Sequence, residues 1–275
     1  RAIVVGAGLG GLSAAAHLRL AGWDVVVVEG RDAPGGKVRQ LREAGFSFDM
    51  GPTIFTMPQS IDELFAAAGR DHRDALELLP LDPFYRAHFP DGTVFEMSSR
   101  SDAVLEQVRR IAPGDERAWL DWLDRSGRIW RDVEAHFLDR LFHSWRDLLE
   151  PRLLLAGMRM DALVSLSTRV RRQFRSEKLR QLTTYQAIYV GSSPDDVPAT
   201  YALISHLEAT HGVWFPRGGM FSVAQSIARL CEDLGVEIRL GREASRIVVA
   251  GGRARGVELV DGDRLEADAV VSNAD

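Results

Sequence analysis

A glycine-rich turn between two apolar runs constrains this chain more than any other feature. Ala2-Ile3-Val4-Val5 leads into Gly6-Ala7-Gly8-Leu9-Gly10-Gly11, and a helical pattern follows. A second run, Val25-Val26-Val27-Val28, ends on Glu29. Strand, tight turn, helix and second strand in that order make a βαβ unit of the kind that binds an adenine dinucleotide. Gly6 allows the turn off the strand. Gly8 lets the backbone approach a pyrophosphate held at the helix N-terminus, and Gly11 lets the helix pack close to the sheet. Glu29 lies 18 residues past Gly11, near the roughly 20-residue spacing of an acid that binds ribose hydroxyls. A glycine triplet alone carries little weight, but with both strands, the helix and the terminal acid in place it is specific.

The residues after Glu29 separate flavin from nicotinamide. Gly35-Gly36 follow the acid closely, and Lys37 follows them. Paired glycines there imply a second close backbone approach to the phosphates, with Lys37 adding a cation; an ordinary nicotinamide domain needs neither. Then comes Gly45-Phe46-Ser47-Phe48-Asp49-Met50-Gly51-Pro52-Thr53. This run resembles the carotenoid desaturases of the phytoene desaturase type, within the flavin-dependent amine oxidase superfamily. The resemblance resumes at Tyr189-Val190-Gly191-Ser192-Ser193-Pro194, at Gly212-Val213-Trp214-Phe215-Pro216-Arg217-Gly218-Gly219-Met220, and at Ala269-Val270-Val271-Ser272-Asn273-Ala274-Asp275. It also covers Ser144-Trp145-Arg146-Asp147-Leu148, and so nearly the whole chain.

Length and composition bound the remaining possibilities. A chain of 275 residues with 45% apolar and 27% charged residues can bury a large core. The net charge of -5, with no nucleic-acid motif, argues against a nucleic-acid binder. The single cysteine, Cys231, rules out an internal disulfide and reads as a buried structural thiol, which fits a reducing, cytoplasmic setting. The seven histidines show no zinc-like spacing, so no metal site is expected. No 18-residue apolar window occurs, so no helix is expected to span a bilayer.

The expected fold is α/β, with a Rossmann-like FAD-binding domain interrupted by a mostly helical α+β substrate domain. Residues 1–53 make the first part of the cofactor domain, 54–211 the substrate domain, and 212–275 the return. In the return, Ala254 to Val260 reads as a strand after the Gly251-Gly252 turn, and Val270 and Val271 belong to a buried strand. In the insertion, Pro90-Asp91-Gly92 marks a hairpin. Trp119, Trp122, Leu123, Trp130, Val133, Phe137 and Leu141 then follow helical spacing. Leu163, Leu166, Val170 and Phe174 make a second apolar stripe. In the family the polypeptide continues through a further substrate-domain section and a closing flavin-binding segment, neither of which is expected here.

By resemblance, Gly6, Gly8, Gly11, Glu29, Gly35, Gly36 and Lys37 match the family's FAD-binding motif. Lys37 reads alternatively as a surface cation. Ala244 falls where the family places a valine whose backbone meets the adenine, or is a strand-start core residue. Gly51-Pro52-Thr53 either passes near the flavin ring or makes a rigid turn into the second domain. Asp147 is the candidate catalytic carboxylate, since Trp145-Arg146-Asp147-Leu148 resembles a cavity-lining stretch; the alternative is a helix-start carboxylate or a partner of Arg146. Glu150 departs from a basic residue in a relative, which weakens a paired acid–base scheme.

The implied reaction is FAD-dependent desaturation of phytoene or a close relative. A hydride passes from a carbon–carbon single bond to the flavin, and a quinone or dioxygen reoxidises it. A long apolar substrate implies a peripheral membrane contact. Arg171, Arg175 and Lys178 stand at i, i+4 and i+7, as on an interfacial helix over anionic lipid, or on the solvated face of a core helix. A carotenoid isomerase, a retinol saturase and an amine oxidase share the implied fold. So does a non-enzymatic prenyl-lipid carrier, which would not need Glu29 or Gly35-Gly36.

Overall fold

A computed structural model of the chain describes residues 1–138 and 140–274; Asp275, at the end of the expected closing turn, lies outside the described residues. The chain divides into two compact units, Arg1–Pro80 with Trp214–Asp275, and Leu81–Val213.

The first unit is built on a four-stranded parallel sheet. Its strands lie in the order Ala269–Ser272, Ala2–Val5, Val25–Val28, Glu237–Arg239. All four valines of Val25–Val28 are buried, as a continuous apolar run should be when both faces of a parallel sheet are covered. Helices Leu9–Leu20 and Phe221–Asp233 cover one face, packing Leu12, Ala15 and Ala16 with Val223, Ile227 and Leu230. Strands Ala244–Ala250, Arg253–Leu259 and Arg264–Glu266 form an antiparallel sheet, and Val257, Leu259 and Ala267 bury Ile3, Val26 and Val28 on the other face. Val270 and Val271 are only half-buried, because their strand is the outermost of the parallel sheet. Cys231 is buried as read, and its thiol donates to the Leu12 carbonyl at 3.2 Å. Burial pushes that thiol up to about 12.

The first boundary falls after Pro80, not after Thr53. Helix Gln59–Ala67 sends Ile61, Leu64 and Phe65, with Leu76, into the same core as Leu12 and Val223. A helical period says that a face is buried, not which core receives it.

The second unit opens with the expected hairpin, Tyr85–His88 against Val94–Met97 in antiparallel register. Helices Ser101–Ile111, Glu116–Val133, Pro151–Arg159, Leu166–Gln173, Glu177–Thr184 and Leu203–His211 follow. Their core centres on Phe174, whose ring lies 6.4 Å from Trp119 and 5.7 Å from Trp122. The tryptophan stripe is helical through Phe137, which lies in the π-helical turn Glu134–Leu138 that continues the helix, but Leu141 lies beyond it and is 80% exposed.

The second apolar stripe is corrected more sharply. Leu166, Val170 and Phe174 are buried, whereas Leu163 precedes the helix and is 97% exposed. Asp115 accepts hydrogen bonds from the Arg175 N–H at 2.9 Å and the Ser176 N–H at 2.7 Å. That contact holds the chain extended at Phe174, and Ser176 caps a new helix. Arg171, Arg175 and Lys178 therefore do not share one helix face. Arg171 bonds Ser167 at 3.0 Å, and Lys178 bonds Asp91 at 2.6 Å and Thr93 at 2.7 Å. The expected interfacial helix does not form. Among the described residues no helix is long and apolar enough to cross a membrane.

Candidate dinucleotide site

The crossover turn sits at the carboxyl end of the parallel strands, where strands on either side of Ala2–Val5 run to opposite edges; open α/β sheets bind ligands at such a point. Gly6 has a φ of 96°, which lets the chain leave the strand sharply. Gly8 precedes helix Leu9–Leu20, and no side chain caps that helix. Its first N–H groups and the positive end of its dipole are thus available to an anion. A Cβ on Gly11 would lie 2.0 Å from the Gly6 carbonyl oxygen, so only glycine allows this helix so close to its strand.

The second glycine pair packs against the first. Gly35 forms a parallel bridge with Gly8, and its N–H donates to the Ala7 carbonyl at 2.8 Å. A Cβ on Gly36 would lie 3.1 Å from the Gly8 Cα. Glu29 ties the unit together: its carboxylate accepts the Ala7 N–H at 2.8 Å and the Arg31 N–H at 3.0 Å. These segments enclose a cavity of ≈ 650 Å³ lined by Gly6, Gly8, Glu29, Gly35, Gly36, Lys37 and Ala244 among others. A cavity of that size, with bare backbone at a helix N-terminus and a carboxylate at the strand end, fits an adenine dinucleotide.

The structure therefore brings together seven of the residues singled out in the sequence. Gly11 stands behind them as a packing residue. Gly51, Pro52 and Thr53 are exposed and do not line the cavity; Gly51 presses instead on the backbone of Lys37, where a Cβ would lie 2.3 Å from the carbonyl oxygen.

Three polar lining residues escaped the sequence reading. Asn273 follows the edge strand, and its side-chain amide covers the turn, with Oδ1 2.7 Å from where a Cβ on Gly10 would sit. Glu243 lines the cavity beside Gly30. Arg31 donates from Nη1 to the Gly36 carbonyl at 2.7 Å, clamping the second glycine loop. The available signal for Asn273 was its position one residue past a strand that returns beside the first.

Asp147 has a different occupation from the one the resemblance implies. Its carboxylate accepts the N–H groups of His143 at 2.7 Å and Ser144 at 3.0 Å, closing a capping box on the turn Trp145–Leu149. Those two backbone donors hold it below the usual carboxylate range. A carboxylate so satisfied is a weak proton acceptor.

The chain matches the family described as flavin containing amine oxidoreductase over residues 9–275. A zeta-carotene-forming phytoene desaturase from Myxococcus xanthus is 40% identical over 275 residues, which are 100% of this chain and 53% of that protein. A 4,4'-diapolycopene oxygenase from Methylomonas sp is 38% identical over 277 residues, 99% of this chain and 55% of that protein. The chain thus spans about half the length of the curated relatives it matches. The structure of putrescine oxidase bound to putrescine superposes with a TM-score of 0.63 at 23% identity, covering 98% of this chain and 56% of that one, a likeness of fold. A match that begins inside the glycine cradle and runs to residue 275 means that the chain belongs to the flavin containing amine oxidoreductase family, with FAD as its cofactor.

Proposed function

We propose that this chain forms the cofactor-binding and part of the substrate-binding portion of a carotenoid desaturase acting on phytoene or a close relative. The observation that carries this reading is 40% identity to a phytoene desaturase across the whole chain, joined to the double glycine cradle. In this reading Gly6, Gly8 and the uncapped helix receive the pyrophosphate, and Gly35, Gly36 and Lys37 approach it from the other side. Glu29 accepts from the ribose hydroxyls, the backbone at Ala244 meets the adenine, and Gly51-Pro52-Thr53 leads toward the flavin ring.

Bound FAD supplies the two-electron acceptor that no side chain can provide. The protein's share is to hold the polyene, to exclude water and to meet the positive charge left on an allylic carbon. A quinone or dioxygen would then take the electrons.

A peripheral site on the cytoplasmic face of a membrane fits the free buried thiol of Cys231 and the long apolar substrate. With the Arg171, Arg175, Lys178 face dissolved, support moves to segment 141–158. There Leu141, Trp145, Leu149, Leu155 and Met158 are each at least 50% exposed, beside Arg146 and Arg152. Aromatic and aliphatic side chains flanked by arginines suit a lipid interface.

The test mixes the full-length polypeptide with phytoene in liposomes without oxygen and follows flavin bleaching together with new polyene absorption. Desaturation requires both. Bound flavin that stays oxidised would reject phytoene as substrate. The oxygenase relative from Methylomonas sp supports a second reading, oxidation of a carotenoid with oxygen incorporated, which would appear only when dioxygen is admitted.

A further inference from the structure

Gly10 is the glycine of the opening turn that the dinucleotide spacing does not require. The motif uses Gly6, Gly8 and Gly11, and Gly10 lies inside helix Leu9–Leu20, where glycine is a poorer choice than alanine. Its backbone is helical, so conformational freedom is not the reason for it. Gly8 likewise has an ordinary φ of -70°. What both lack is room for a side chain. A Cβ on Gly10 would lie 2.7 Å from Asn273 Oδ1, and one on Gly8 would lie 3.1 Å from Asn273 Nδ2. Gly11 and Gly6 meet the same residue: a Cβ there would lie 3.4 Å from the Asn273 Cβ and 3.3 Å from its carbonyl oxygen. Every glycine of the turn is thus fitted around one asparagine.

Asn273 is anchored by its backbone and open at its side chain. Its N–H donates to the Val5 carbonyl at 2.9 Å, one step beyond the pairing of Val5 with Ser272. The residue is exposed on the wall of the ≈ 650 Å³ cavity, and among the described residues its amide has no hydrogen-bond partner. Turn, strand and asparagine all belong to the unit built on the parallel sheet. A turn shaped around an amide that bonds to nothing in the protein leaves the amide's donor to a ligand.

We propose that Asn273 is a cofactor-binding residue: its Nδ2 donates to a pyrophosphate oxygen of FAD, and Gly10 is glycine to make room for that amide. The inference rests on the placement of the pyrophosphate at Gly6, Gly8 and the helix N-terminus. Backbone N–H groups meet the anion from the helix, and the amide adds a side-chain donor from the returning strand. An amide suits this place because it can donate, whereas a carboxylate of the same shape would only accept and would repel a phosphate.

The experiment strips flavin from the full-length protein and titrates it with FAD and with ADP, which shares the adenosine and pyrophosphate but not the flavin. Wild type is compared with Asn273→Ala, Asn273→Asp, Gly10→Ala and the Gly10→Ala, Asn273→Ala double variant. Flavin fluorescence follows FAD, and calorimetry follows ADP. Asn273→Ala should weaken both ligands by the same factor, about ten- to a hundredfold, as for one hydrogen bond to a charged group. Asn273→Asp keeps the shape and should lose more. Gly10→Ala should weaken binding when Asn273 is present and add nothing in the Asn273→Ala background, the coupling of two residues that share a contact. The cofactor-free melting temperature of Asn273→Ala should match wild type, since the amide has no protein partner to lose. Wild-type affinity for both ligands in Asn273→Ala would overturn the contact. So would a loss for FAD with none for ADP, which would put the amide on the flavin side, and so would a cofactor-free melting temperature that falls along with the affinity, which would make Asn273 a packing residue. A wild type that binds neither FAD nor ADP would overturn the cofactor reading itself.

Discussion

Gly11 lines no part of the cavity, yet it fixes the distance on which the cofactor site depends. With a Cβ only 2.0 Å from the Gly6 carbonyl, Gly11→Ala must push the helix off its strand. The expected cost is about 1–3 kcal/mol, seen as a lower melting temperature, with flavin lost on purification. Glu29→Gln tests the opposite kind of residue. Both carboxylate oxygens accept backbone N–H groups, so an amide must turn its NH2 toward one of those donors. The expected FAD affinity falls roughly ten- to a hundredfold, the worth of one charged hydrogen bond, measured by flavin fluorescence titration. These two residues were legible because a glycine turn and a strand-end acid are local signals. Asn273 was not, because its role arises only when the last strand returns beside the first, 267 residues along the chain from Ala2 to Ala269.

At the scale of elements, helix ends decided more than helix interiors. Asp115 is 4% exposed and holds two N–H groups of the break between Leu166–Gln173 and Glu177–Thr184. Asp115→Ala leaves both donors unpaired, at a cost on the order of 3 kcal/mol, measurable by urea unfolding. The Arg171, Arg175, Lys178 spacing looked helical in the sequence because nothing within it announces a partner 60 residues upstream. Asp147 belongs to the same class. Its lowered folded pKa means that it stabilises the turn above its ordinary value of 3.8 and ceases to do so as pH falls through the lower folded value. Asp147→Ala should therefore fray Trp145–Leu149, seen as faster amide exchange there, with little change in turnover. A loss of turnover matching that of a true proton acceptor would restore it to the chemistry.

For the molecule as a whole, the two units differ in how readily sequence revealed them. The parallel sheet was visible because two of its strands, Ala2–Val5 and Val25–Val28, are apolar throughout, and the hairpin because Pro90-Asp91-Gly92 marks it. The place of Ile61, Leu64 and Phe65 depended on tertiary packing, which moved the boundary to Pro80. Glu208, buried on helix Leu203–His211, gives the helical unit a pH signature of its own, because burial pushes its carboxyl up to about 7. The folded state keeps a proton that the unfolded state releases above 4.5, so stability falls as pH rises from there to about 7 and then levels off. Glu208→Gln should remove that slope and leave the protein more stable than wild type above pH 7, as chemical denaturation across pH would record.

The sole thiol turns the first unit into its own reporter. Cys231 lies between the two helices that cover one face of the sheet, with its proton held against the Leu12 carbonyl. A thiol-labelling reagent can reach it only when that helix pair parts, and its label rate then measures how often the nucleotide fold opens. No engineered cysteine is needed. Since Leu12 sits one turn beyond Gly8, occupancy of the dinucleotide site should slow labelling in proportion to the cofactor's grip, which makes Cys231 a readout of loading that requires neither substrate nor light.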